Sequence, residues 1–136
     1  MTIREGSAPP MAGPAVLVMD LTPEAVAAVL RLAASLGLDA VRIDLGGCCD
    51  KQAFLARTAA ALGFPDWFGA NWDALFDCLA DLSWRPAAGY VLILDHAEDM
   101  RRHAPEAFDT ALAVLADAAN AWSDRGRPFR AIVGCD

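Results

Sequence analysis

The sequence predicts an α/β fold, a small parallel β-sheet covered by helices. Three observations predict it. Four short strand-like runs, Ala15–Met19, Ala40–Leu45, Tyr90–Leu94 and Phe129–Val133, are separated by helical patterns. Strands joined through helices imply crossover connections, and so parallel pairing. A chain of 136 residues suits one domain, which at that length buries about two-thirds of its unfolded surface in a single core.

The elements follow in order. Residues 1–14, rich in Gly, Ser, Pro and Ala, predict a flexible tail. Ala15-Val16-Leu17-Val18-Met19 reads as a buried strand. Thr22-Pro23-Glu24 starts a helix with an N-cap, a proline at the first helical position and an acid in the first turn. That helix carries Val26, Val29, Leu30 and Ala33 on one side, and Gly37 stops it. In the second strand Arg42 and Asp44 alternate with Val41 and Ile43. Gly46-Gly47 then turns the chain, Asp50 caps a helix over Lys51–Leu62, and Gly63 ends it. An aromatic loop, Phe64 to Ala70, leads to Asn71, which caps a helix over Trp72–Leu82. After a loop at Ser83–Gly89 comes Tyr90–Leu94, the clearest buried strand. A helical stretch runs through Glu106 to Trp122, broken near Pro105, and Phe129–Val133 is the last strand. The expected organisation is a tail (1–14), a β-α unit (15–38) and a larger region (39–136), with 15–136 as one compact domain.

Charge singles out one helix. Between Arg57 and Arg85 there is no lysine or arginine, while Asp66, Asp73, Asp77 and Asp81 lie in that window. The last three are spaced i, i+4, i+8, each turned by about 40° from the one before, and so form one acidic stripe. Like charges at i,i+4 repel by roughly 0.2–0.5 kcal/mol per pair. The helix dipole compensates Asp73 in the first turn, but not Asp77 or Asp81. Leu75, Leu79 and Leu82 occupy a neighbouring face and anchor the helix. On charge alone, a solvated acidic face and a binding surface are equally good readings. Trp67, Phe68 and Trp72 tip the balance, because rigid aromatic area beside unpaired charge is the composition of an interface hot spot. Phe68 and Trp72 also suit the core, whereas Trp67, after Pro65-Asp66 in a loop, is harder to bury.

The run Trp67-Phe68-Gly69-Ala70-Asn71-Trp72-Asp73-Ala74-Leu75-Phe76-Asp77-Cys78-Leu79 resembles the barstar family. Its pattern is aromatic-aromatic-Gly-x-Asn-x-Asp-Ala-Leu-aromatic-Asp, with a cysteine following in some members. The likeness spans about residues 39–136 and is concentrated in this motif. It implies a three-stranded barstar-like core, outside which Ala15–Gly37 is an extra β-α unit that adds one N-terminal strand or covers an edge. It also implies an inhibitor of small secreted ribonucleases, not an enzyme, with no cofactor, metal or catalytic residue. Asp77 matches the family's principal contact, whose carboxylate takes the place of a substrate phosphate, and Asp73 a second acid that meets arginines. Trp67 matches an aromatic that stacks in the enzyme's cleft, and Asn71 and Phe76 match contacts around it. Phe68, Gly69 and Trp72 complete the expected partner-binding patch, and Asp117 falls near a further family acid. After Leu79 this sequence has Ala80-Asp81-Leu82 where a family member can carry Gly and Trp, a departure that bears on which enzyme is the target.

Composition agrees with a basic protein partner. The net charge of −7 disfavours direct contact with nucleic acid or an anionic membrane. Cys48, Cys49, Cys78 and Cys135 form no Cys-x-x-Cys pair, the N-terminus lacks a signal-peptide pattern, and the expectation is a cytoplasmic protein with free thiols, monomeric. Three rival readings stand beside a ribonuclease inhibitor. One is an immunity protein for a toxin nuclease or another basic partner. Another is an enzyme using Asp73 and Asp77 as an acid/base or metal pair, although His96 and His103 lie in no motif and no Gly-x-Ser-x-Gly or His-Glu-x-x-His occurs. The third is a metabolite-binding domain at the C-terminal strand ends, which a small-molecule-sized pocket there would favour.

Overall fold

A computed structural model describes residues 14–135; apart from Pro14, the expected tail lies outside them. The elements are β1 (Val16–Met19), α1 (Pro23–Ser35), β2 (Asp39–Asp44), α2 (Lys51–Leu62), α3 (Trp72–Asp81), β3 (Tyr90–Asp95), α4 (Glu98–His103), α5 (Pro105–Asp124) and β4 (Phe129–Gly134). All four strands pair in parallel in the order β1-β4-β3-β2, so the expected α/β fold with an added N-terminal strand is what forms.

The order fixes where the helices lie. The connections β2→β3→β4 step one way across the sheet, and β1→β2 steps back across it. Right-handed crossovers therefore send α1 to one face and the remaining helices to the other. The packing follows suit. Val26 and Ala33 of α1 cover Val91 and Ile93 on one face. On the other, Val41, Ile43, Leu92, Leu94, Phe129, Ala131 and Val133 meet Phe54, Leu55, Leu75, Leu79, Phe108, Leu115 and Trp122. β3 is buried along its whole length, as its unbroken apolar run requires of a central strand with helices on both faces.

The capping residues perform as their chemistry dictates. The side chains of Thr22, Asp50 and Asn71 each accept a hydrogen bond from the N–H three residues on, at 3.0, 2.8 and 2.8 Å. Gly63 ends α2 in the left-handed conformation at φ 65°. α3 stops one residue short of the expected Leu82, which caps it instead at φ 47° with its side chain fully buried. Its burial holds a non-glycine residue in a conformation that leucine otherwise avoids. The break at Pro105 is complete: α4 ends at His103, and Pro105 opens α5.

Candidate functional site

α3 is held at both ends and along one side, which leaves its acidic side free. Asn71 Oδ1 caps the Ala74 N–H, and Asn71 Nδ2 reaches the Gly69 carbonyl at 3.4 Å. A side chain at Gly69 would come within 3.3 Å of that amide, so the motif's glycine leaves room for the cap. Leu75, Cys78, Leu79 and Leu82 are buried. From α5, the Trp122 indole N–H donates to the Leu79 carbonyl at 2.7 Å, and the Arg125 guanidinium donates to the Ala80 carbonyl. These two bonds tie the last turn of α3 to α5 and supply partners for carbonyls that a helix end leaves open.

The result is a groove of about 710 Å³ between α3 and α5, lined by Trp72, Asp73, Phe76, Asp77, Val114, Asp117, Asn120, Ala121 and Asp124. The acidic stripe expected on α3 is one of two walls of carboxylates that face one open trough. Asp73 and Asp77 come from α3, Asp117 and Asp124 from α5, and all four are exposed. Among the described residues, none of the four has a cation within ion-pair distance. Trp72 and Phe76, half-buried, supply the apolar lining; Trp72 packs against Phe54 at 6.0 Å between ring centroids, with the Lys51 ammonium 5.5 Å over its ring.

The expected site residues separate into three groups. Trp72, Asp73, Phe76, Asp77 and Asp117 converge on the groove. Phe68, Gly69 and Asn71 build the loop and cap beside it, with the Phe68 ring edge-on to Phe64 at 4.9 Å. Trp67 stands apart from both, 61% exposed at the loop's turn. Asp81 departs from the stripe's promise: it is exposed at the end of α3, takes a hydrogen bond from Ser83, and does not line the groove. Asn120 and Asp124 escaped sequence reasoning, although their i+3 and i+7 spacing from Asp117 places them on one side of α5. Cys78 faces the core, and its thiol is pushed up to about 11, first by burial and then by the neighbouring Asp77 and Asp81 carboxylates, so it holds its proton.

The other readings find less support. Among the described residues no three His, Cys, Asp or Glu side chains converge as a metal site requires. At the C-terminal strand ends there is a cavity of about 230 Å³ lined by Leu21, Pro23, Val26, Arg42, Asp95 and His96. It is smaller than the roughly 300–1,000 Å³ of ordinary ligand pockets. Its main charges are also spent on each other, with Arg42 Nε and Nη2 both donating to Asp95 Oδ2 at 3.1 and 2.8 Å. No described helix is long and apolar enough to cross a membrane.

A family model described as Barstar (barnase inhibitor) matches residues 38–134, well over half of the chain. The match opens just after α1 and contains the groove whole. A search of curated proteins found no match.

Proposed function

The chain belongs to the barstar family, and from that membership together with the acidic groove we propose that it inhibits a basic ribonuclease by occupying the enzyme's active-site cleft. The family is described by an inhibitor and not by a catalytic activity, which sets the enzyme reading aside. One observation carries the proposal: four carboxylates on two facing helices, none of them neutralised by a cation of its own among the described residues. Apart from Asp73, which the α3 dipole favours in the first turn, folding gains little from such an arrangement, whereas binding to a partner that brings the missing cations does gain from it.

A ribonuclease cleft must present Arg, Lys and His to hold phosphodiesters. Carboxylates preset on rigid helices compete for those groups through charge-assisted hydrogen bonds without paying to order a loop. In this reading Asp77, at the middle of α3, takes the central phosphate position and Asp73 a second. Asp117 and Asp124 meet basic side chains of the enzyme that reach into the trough, with Asn120 between them. Trp67 stacks in the cleft, while Phe68, Gly69 and Asn71 hold the loop that presents it. The protein works in the cytoplasm, and its four free cysteines suit a reducing compartment. The nuclease domain of a toxin offers the same kind of cleft, so an immunity role uses the same surface.

The test is inhibition of a panel of small basic microbial ribonucleases and toxin nuclease domains. Stoichiometric inhibition of at least one, weakening as salt is raised, is expected. Inhibition of none contradicts the proposal.

A further inference from the structure

The β-α unit that precedes the family match has a different surface chemistry from the rest of the chain. Among the described residues, β1 pairs only with β4, which leaves its other edge open. The direction of the open edge can be read from the ladder. The Ala131 N–H donates to the Ala15 carbonyl, and the Cys135 N–H donates to the Met19 carbonyl. Alternate residues of a parallel strand face the same neighbour, so Leu17 also faces β4, and Val16 and Val18 turn their N–H and C=O groups outward. Leu17, Val18 and Met19 are 42%, 41% and 44% exposed, which is unusual for three consecutive apolar residues. Such an edge normally carries a lysine, a proline or a bulge that blocks pairing; within Val16–Met19 β1 has none of them, and Pro14 stands just before it.

We propose that β1 pairs antiparallel with the β1 of a second copy of this chain, joining two four-stranded sheets edge to edge. Charge selects this occupant. From Pro14 to Met19 there is no charged residue, whereas the chain as a whole carries −7, so β1 is a place where two copies meet without like charges directly opposed. Geometry selects the register. With a two-fold axis through Leu17, Val16 of each copy lies opposite Val18 of the other, and each such pair exchanges both N–H···O bonds. This is the register that uses the outward groups of both valines. Leu17 then faces its own twin across a non-hydrogen-bonded position, where side chains approach most closely. The contact is small, so association is weak and concentration-dependent, with the monomer dominant in dilute solution. No residue of the acidic groove lies on β1, so each copy keeps its groove.

The experiment is sedimentation of the full chain across a wide concentration range, beside Leu17→Lys and Leu17→Glu. The wild type is expected to move from the 14.4 kDa monomer toward twice that mass as concentration rises. Each variant alone places like charges opposite each other and weakens association by about tenfold or more. An equimolar mixture of the two variants, one of them mass-tagged, is expected to regain a dimer containing one copy of each, which an unfolded variant could not do. A wild type that stays monomeric throughout overturns the pairing and leaves the edge to the segment before Pro14 or to another protein. Variants that associate like the wild type, or a mixture that fails to form the mixed dimer, overturn it as well. Ribonuclease inhibition by Leu17→Lys is expected to match the wild type, so failure of the pairing and failure of the inhibitor reading are told apart.

Discussion

Asp77 occupies a position whose local energetics oppose its chemistry. It has a carboxylate four residues before it and another four after it, and no cation partner among the described residues. Asp77→Ala removes two repulsive pairs and introduces a better helix former. Resistance to urea is therefore expected to stay level or rise slightly, by up to about 1 kcal/mol, while inhibition is lost. A residue retained for stability would behave in the opposite way. Trp67 and Trp72 give a second contrast at this scale. Trp67→Ala is expected to weaken binding and leave unfolding unchanged, because the side chain touches little of its own protein. Trp72→Ala should lower both, because that ring packs against Phe54 and lines the groove. Binding titration beside urea unfolding separates the two patterns. The acids on α3 were legible in the sequence because their i,i+4 spacing fixes a shared side whatever the tertiary structure does. Asp124 was not legible, because its role depends on which helix α5 faces.

At the scale of elements, α3 matters as a rigid presenter of charge. Its start is a capped turn, its buried side is a leucine stripe, and its last turn is fastened to α5 by Trp122 and Arg125. Asn71→Ala removes the cap and should cost about 1 kcal/mol of stability, measured by urea unfolding. It should also weaken inhibition, because a frayed first turn no longer fixes Asp73. Helix starts were readable in advance because a cap is a local event: Thr22, Asp50 and Asn71 each needed only the N–H three residues along. The two bonds from α5 to the end of α3 were not readable. They join residues some 43 and 45 positions apart, and no local pattern marks a tryptophan or arginine as the fastener of a distant helix. The same distance explains why an acidic stripe on one helix proved to be one wall of a two-helix groove.

For the molecule as a whole, the sheet order separates two surfaces. The acidic groove lies on the face covered by α2, α3 and α5, and the uncharged β1 edge belongs to the unit outside the family match. A net charge of −7 attracts a basic enzyme over distances beyond contact. Raising salt from about 10 to 150 mM shortens the Debye length from roughly 30 to 8 Å. The association rate constant with a responsive ribonuclease is therefore expected to fall by tenfold or more over that range, with a smaller change in dissociation; stopped-flow fluorescence measures both. The alternation of strand and helix announced the α/β class and the parallel pairing. Placing β1 beside β4, rather than beside β2, required the tertiary structure, because edge positions leave no mark on strand sequences this short.

The measurement that bears most directly on the central claim is titration of a responsive basic ribonuclease with the wild type and with Asp77→Ala at physiological salt. The account predicts one-to-one inhibition by the wild type and a loss in affinity of about 30-fold or more in the variant, matching the roughly 2 kcal/mol that defines a hot spot, with its fold unchanged. A folded Asp77→Ala variant that inhibits as tightly as the wild type would contradict it.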